Sequence, residues 1–195
     1  MPVALEICEP IVMPPHKRWT RDECAALEQA GIIDARRYEL IDGELVQKKS
    51  KNHPHMLAVL LLGTWLRTTF GETFVVQEPS IDLRPEDTPT SEPEPDLIVL
   101  TRSFRDFTCK ARPEDIRMVL EVSSTTLAFD LTAKARLYCR SRIAEYWVVD
   151  LQGRRLIVHR DPSGDSYRSV IAYGEHEQVA SLSAPQFHIQ VGDIL

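Results

Sequence analysis

The sequence predicts a mixed α/β (α+β) fold: a β-sheet core flanked by helices, with an antiparallel hairpin at the C-terminal end. Three observations carry this. Two strand-like runs, Asp96–Leu100 and Ile116–Val122, follow each other with only a polar loop between them. A strand, helix and strand then succeed one another over residues 116–150. The tail holds two more strand-like runs around the turn Asp161-Pro162-Ser163-Gly164.

Length and composition bound the reading. A chain of 195 residues suggests a single domain with a proper core. Residues 1–19, with Pro2, Pro10, Pro14 and Pro15, read as an extended arm, and residues 20–195 as the domain. Apolar content of 43% and charged content of 27% are ordinary for a soluble protein. The apolar run Met56–Leu62 is far too short to span a membrane, and the N-terminus lacks the pattern of a signal peptide. The cysteines, Cys8, Cys24, Cys109 and Cys139, are scattered without a Cys-x-x-Cys pair, which argues against a zinc ribbon or a disulfide framework and favours a reducing cytoplasm. A net charge of −6 argues against a nucleic-acid coat protein but leaves room for an enzyme that grips DNA locally.

The elements follow in order. Thr20 and Glu23 form a capping box that opens a helix carrying Ala25, Ala26 and Leu27 and ending near Gly31. Tyr38–Ile41 and Leu45–Lys48 are strands joined by Asp42-Gly43, a strong hairpin signal. A helix over His53–Phe70 places Leu57, Leu60, Leu61, Trp65 and Leu66 at helical spacing, and Gly71 stops it. Thr73–Gln77 and Ser80–Leu83 read as strands broken by Pro79, and residues 84–95 as an exposed loop. After the strands 96–100 and 116–122, a helix over Asp130–Ser141 takes Asp130 as its N-cap. Glu145–Asp150, Arg154–Arg160, Tyr167–Tyr173 and Gln178–Leu182 complete the strands.

Glu121 is the anomaly. It puts a carboxylate into the apolar strand Met118–Val122, where an isolated charge is costly unless paired, hydrogen-bonded or bound to a metal. Strands 96–100 and 116–122, joined by a loop, default to antiparallel neighbours, so Asp96 at the start of one lies beside Glu121 near the end of the other. Alternation puts Ile116, Met118, Leu120 and Val122 on one face and Val119, Glu121 and Ser123 on the other. The following helix starts at that same end of the sheet. Asp130, Lys134 and Tyr138, spaced four apart, share one of its faces, and the Lys134 ammonium can reach back to the acids.

Two adjacent carboxylates repel unless a cation intervenes. Mg²⁺ or Mn²⁺ suits such a pair and leaves room for reactive water. Each residue also has a structural reading. Glu121 can be an ion pair with Lys134 or a core arginine, Asp96 a turn cap, and Lys134 a solvated helix residue. Tyr138 reads as packing beneath the site. Lys48, Lys49 and Lys51, before the helix at His53, can hold a phosphate or simply solubilise a turn. His53 and His55 read as caps or substrate contacts, Trp65 and Trp147 as core, and Arg36-Arg37 as surface.

Pro95-Asp96, Glu121-Val122-Ser123 and a helical lysine resemble the PD-(D/E)XK nuclease superfamily. More narrowly, the chain resembles the Uma-type family of restriction endonucleases. The matching segments are Tyr38-Glu39-Leu40-Ile41-Asp42-Gly43-Glu44-Leu45, Glu94-Pro95-Asp96-Leu97, Leu120-Glu121-Val122-Ser123-Ser124, Asp130 through Lys134 to Tyr138, and Glu145-Tyr146-Trp147-Val148-Val149-Asp150. They cover about residues 36–160. The resemblance implies a restriction-endonuclease-like sheet and a Mg²⁺- or Mn²⁺-dependent endonuclease acting on DNA. It implies Asp96, Glu121 and the Val122 carbonyl as metal ligands, with Glu39 as a further acid. The superfamily's usual lysine position holds Ser123, so the lysine role falls to Lys134. A homodimer, with the Pro-rich arm or the C-terminal hairpin as interface, is expected by the same analogy. The alternatives are an inactive nuclease-fold module for binding or assembly, and a metal-dependent hydrolase of a smaller phosphate ester.

Overall fold

The computed structural model describes residues 16–195. The expected arm therefore lies, up to residue 15, outside the described residues. Beyond it, the Trp19 N–H donates to the Gly43 carbonyl at 2.8 Å. α1 (Arg21–Gln29) carries the anticipated capping box: Thr20 accepts from the Glu23 N–H, and the Glu23 carboxylate from the Thr20 N–H. β1 (Tyr38–Ile41) and β2 (Glu44–Gln47) form an antiparallel hairpin. Asp42 and Gly43 take left-handed φ values of 48° and 81°, as an Asp-Gly turn demands. Gly43 is also required by space, since a Cβ there would sit 2.7 Å from Arg18 Cβ.

α2 (His53–Phe70) begins at Asn52, whose side chain accepts from the His55 N–H, and stops at Gly71, with φ 100°. The next segments depart from expectation. A 3₁₀ turn over Glu72–Phe74 shortens the strand to β3 (Val75–Gln77). Ser80–Leu83 forms no strand, because its amides bond to loops: Ile81 N–H to the Pro93 carbonyl and Asp82 N–H to the Ala111 carbonyl. The loop 84–95 is not wholly exposed, since Asp87 and Ser91 are buried.

β4 (Leu97–Leu100), β5 (Ile116–Ser123), β6 (Glu145–Asp150), β7 (Arg155–Ser163) and β8 (Ser166–Gly174) join β3 in a six-stranded mixed sheet. Its order is β3-β4-β5-β6-β7-β8, with β5 and β6 parallel and every other pair antiparallel. β7 and β8 form the C-terminal hairpin, which runs past the expected turn to Ser163 and Ser166. β9 (Gln178–Ala180) pairs with a strand absent from the sequence reading, β10 (His188–Gln190), in a separate small sheet.

Between β5 and β6 the helix starts earlier than expected. α3 (Leu127–Phe129) runs into a π-helical turn (Asp130–Lys134) and then α4 (Ala135–Arg140). Asp130 is thus inside the helical stretch and is not its N-cap. Its carboxylate accepts hydrogen bonds from Ser123 and Thr126 instead. A wide turn of this kind often marks a functional site.

The sheet separates two apolar layers. One face packs Leu97, Val99, Met118, Leu120 and Trp147 against α2 and the C-terminal segment. The other packs Ile98, Val119, Val148 and Ile157 against Leu137 and Tyr138 of α4 and Ile41 of the hairpin. Ile116 lies in this second layer, away from Met118 and Leu120, which corrects the simple alternation. Leu100 pairs with Ile116 but Val99 with Met118, so Arg117 is bulged out and the face switches.

The apolar face of α2 is also corrected. Ala58, Val59, Leu62, Gly63 and Leu66 are buried, while Met56, Leu57, Leu60 and Leu61 are exposed, Leu60 by 61%. The helix is apolar nearly all round, so spacing alone does not select a side. Packing does: Ala58, Val59, Leu62 and Leu66 join the apolar layer of Leu97, Met118 and Leu120. Trp65 is half-buried and stacks on Trp147 at 5.9 Å between ring centroids. Among the described residues, no helix is long and apolar enough to cross a membrane.

Candidate active site

The site sits where β4 begins and β5 ends. Leu97 pairs with Leu120, so one step further the antiparallel register sets Asp96 opposite Glu121. The Asp96 carboxylate closes this end of the ladder: its Oδ2 accepts from the Val122 N–H at 2.8 Å. A strand residue directs its N–H and C=O to the same edge, so the Val122 carbonyl also faces Asp96. Both carboxylates, with Val122, line a cleft of about 520 Å³.

Glu121 is held from α4 and the π-helical turn. Its Oε1 accepts from Lys134 Nζ at 2.8 Å and from the Tyr138 hydroxyl at 3.0 Å. Lys134 Nζ lies 3.0 Å from Oε2 of Glu39, on β1. The structure thus brings together Glu39, Asp96, Glu121, Val122 and Lys134 in one place. Tyr138 lies beneath them, fully buried. Burial drives the Glu121 carboxyl well above its ordinary range; Lys134 opposes the rise, while the carboxylates of Asp130, Asp96 and Glu39 add to it. Burial works against the Lys134 charge, but Glu121, Glu39 and Asp130 outweigh it and keep the ammonium protonated.

A second set of side chains surrounds Asp96, and sequence reasoning saw little of it. His55 Nε2 lies 3.2 Å from Asp96 Oδ2, and Lys51 Nζ lies 3.2 Å from Oδ1. Burial alone would raise the Asp96 carboxyl, but the His55 contact, the Lys51 charge and the Val122 N–H bring it below its usual value. His55 Nδ1 is buried with no hydrogen-bond partner among the described residues. The signal that was available is position: His55 is in the first turn of α2, whose cap Asn52 also donates to Ser124 Oγ just beyond β5.

The three lysines before α2 differ. Lys48 pairs with Glu94 at 2.6 Å, Lys51 bridges Glu78 at 2.9 Å and Asp96, and exposed Lys49 has no carboxylate partner among the described residues. All three line the cleft, together with Arg36. His53 is exposed at the helix start and makes no contact with the acids among the described residues.

The donor set suits a hard cation. Both bonds to Glu121 fall on Oε1, leaving Oε2 without a hydrogen bond among the described residues. Among those residues, no group of three or more His, Cys, Asp or Glu side chains is arranged to hold a metal. An ion here would therefore take two carboxylates, the Val122 carbonyl and water. That is a Mg²⁺-like set, since Mg²⁺ is commonly held by one or two carboxylates and keeps several waters.

The chain is similar to known proteins over nearly its whole length. No curated protein matches it. It is similar in fold to the crystal structure of "a putative nuclease belonging to DUF820" from Anabaena variabilis ATCC 29413, with a TM-score of 0.65 at 14% identity, covering 90% of this chain and 96% of that one. Residues 22–192 match the family Uma2, described as "Putative restriction endonuclease". With the match spanning both strands that carry the acids and the helix that carries the lysine, the chain belongs to the Uma2 family.

Proposed function

We propose that this protein is a Mg²⁺- or Mn²⁺-dependent endonuclease that hydrolyses DNA phosphodiester bonds. The observation that carries the reading is the opposition of Asp96 and Glu121 in one cleft, with Lys134 on Glu121. Asp96, Glu121 and the Val122 carbonyl would hold the ion. When bound, it supplies polarisation of the phosphoryl oxygen and easier deprotonation of water near neutral pH.

The remaining roles belong to the chain. Lys134 orients the attacking water or offsets charge developing on the phosphoryl oxygens. Glu39 and Glu121 fix its ammonium from two sides. His55 and Tyr138 fix the two carboxylates. Lys48, Lys49 and Lys51 hold flanking phosphates along the cleft. A homodimer belongs to the same reading, since cutting two strands takes two sites. Two apolar surfaces would serve it: the Met56, Leu57, Leu60 and Leu61 face of α2, and Val170 and Ile171 on edge strand β8.

The test is cleavage of supercoiled and single-stranded DNA with Mg²⁺, with Mn²⁺ and with chelator. Metal-dependent cleavage that Asp96→Asn abolishes supports the proposal; cleavage that persists in Asp96→Asn removes it. One observation favours a second reading, an inactive binding or assembly module. Lys51 and Lys134 already neutralise Asp96 and Glu121, so the acids are satisfied without metal. Absence of Mn²⁺ binding would select that reading. Hydrolysis of a small phosphodiester without hydrolysis of DNA would select a smaller phosphate ester as substrate.

A further inference from the structure

A second cavity, of about 730 Å³, shares no lining residue with the cleft. Arg84, Arg112, Arg140 and Arg142 line it, with Asp82 and Glu114 as its acids. This concentration of guanidinium groups stands out on a chain of net charge −6. Two of the four are neutralised: Arg84 pairs with Asp87, and Arg140 with Asp42 and Asp87. Asp82 is engaged by Arg21 at 2.6 Å. Arg112 and Arg142 are exposed and have no carboxylate partner among the described residues.

Arg142 takes a φ of 57° as the left-handed residue that ends α4, its N–H donating to the Cys139 carbonyl at 2.9 Å. The helix end itself attracts one cation; it does not account for four.

We propose that this cavity is a phosphate-binding site, taking a phosphodiester or pyrophosphate group between Arg112 and Arg142. Guanidinium forks match phosphate oxygens two at a time. Arg84 and Arg140, both paired with Asp87, line the same cavity. The volume lies within the range of small-ligand pockets and exceeds what a single phosphate fills. The source of the phosphate is a nucleic-acid backbone or a free diphosphate. Lys134 lines the cleft and Arg140 this cavity, six residues further along the same helical stretch. The hairpin runs between them, with Glu39 on Lys134 and Asp42 on Arg140. The site stands independently of the proposed nuclease activity.

The test uses the whole chain and a double variant, Arg112→Ala with Arg142→Ala. Both side chains are exposed and unpaired, so no buried acid loses its partner. Pyrophosphate is titrated by calorimetry, and short DNA by fluorescence anisotropy across salt concentrations in chelator. The site requires that the double variant lose about tenfold or more of the pyrophosphate affinity, or that it flatten the DNA salt dependence by about two contacts. Restoration by Arg112→Lys with Arg142→Lys is partial, because lysine is a point charge. A flattened salt dependence identifies the backbone as the source; lost pyrophosphate binding with unchanged salt dependence identifies a free diphosphate. A double variant equal to the wild type in both measurements, including no binding of pyrophosphate by either, overturns the site.

Discussion

Lys134 and Glu121 form a buried ion pair between helix and sheet, Nζ to Oε1 at 2.8 Å, with both side chains only 6% exposed. The pair makes the acid tolerable inside a strand that is otherwise core. Removing one partner strands the other charge. Lys134→Ala should cost about 3–5 kcal/mol of unfolding free energy, read by denaturant titration. Glu121→Gln with Lys134→Met should recover most of that loss while leaving the protein without DNA cleavage. A double variant no more stable than Lys134→Ala would show that the pair does not carry the cost.

Asn52 ties the start of α2 to the end of β5, accepting from the His55 N–H at 3.1 Å and donating to Ser124 Oγ at 3.1 Å. Asn52→Ala should cost about 1 kcal/mol as a lost cap. For a chain of this size that lowers the melting temperature by roughly 2–4 °C. Calorimetry measures it. Because the same cap places His55 and Lys51, cleavage should fall more than the stability loss explains.

Lys49 is the one lysine of its run without a carboxylate partner among the described residues, so its charge is available to a phosphate. Lys49→Ala should weaken DNA binding regardless of sequence and reduce the salt slope by about one. Lys48→Ala should do less to binding, since Lys48 is engaged by Glu94 at 2.6 Å. Anisotropy titrations in chelator distinguish the two.

His159 on β7 is buried against Tyr146 and Tyr167, and its Nδ1 lacks a partner among the described residues. Burial holds its pKa below the ordinary value. The unfolded chain therefore binds a proton more readily than the fold. The contribution of His159 to stability is full above about pH 6.5 and declines as the pH falls below it. His159→Phe should lose less stability between pH 7.5 and pH 5.5 than the wild type, by chemical denaturation at both values. An identical loss would show that His159 does not titrate unfavourably.

Much of this was legible in the chain. The alternation of Leu120, Glu121, Val122 and Ser123 set the acid on the helix side, and the loop between β4 and β5 set Asp96 opposite it. A four-residue spacing put Lys134 and Tyr138 on one face, and both reach Glu121. What failed did so where competing solutions look alike in sequence. A bulge at Arg117 moved Ile116 to the other layer without disturbing the apolar pattern. The uniformly apolar α2 hid its buried side. His55 and Lys51 reach Asp96 only through the packing of α2 on the sheet, across 41 and 45 positions.

The decisive measurement is Mn²⁺ binding to the Asp96 and Glu121 pair, by calorimetry on the wild type and on Asp96→Asn. Binding to the wild type is expected, and its loss or a weakening of at least about 10-fold in Asp96→Asn. Equal binding by the two proteins, or none by the wild type at millimolar Mn²⁺, would contradict it.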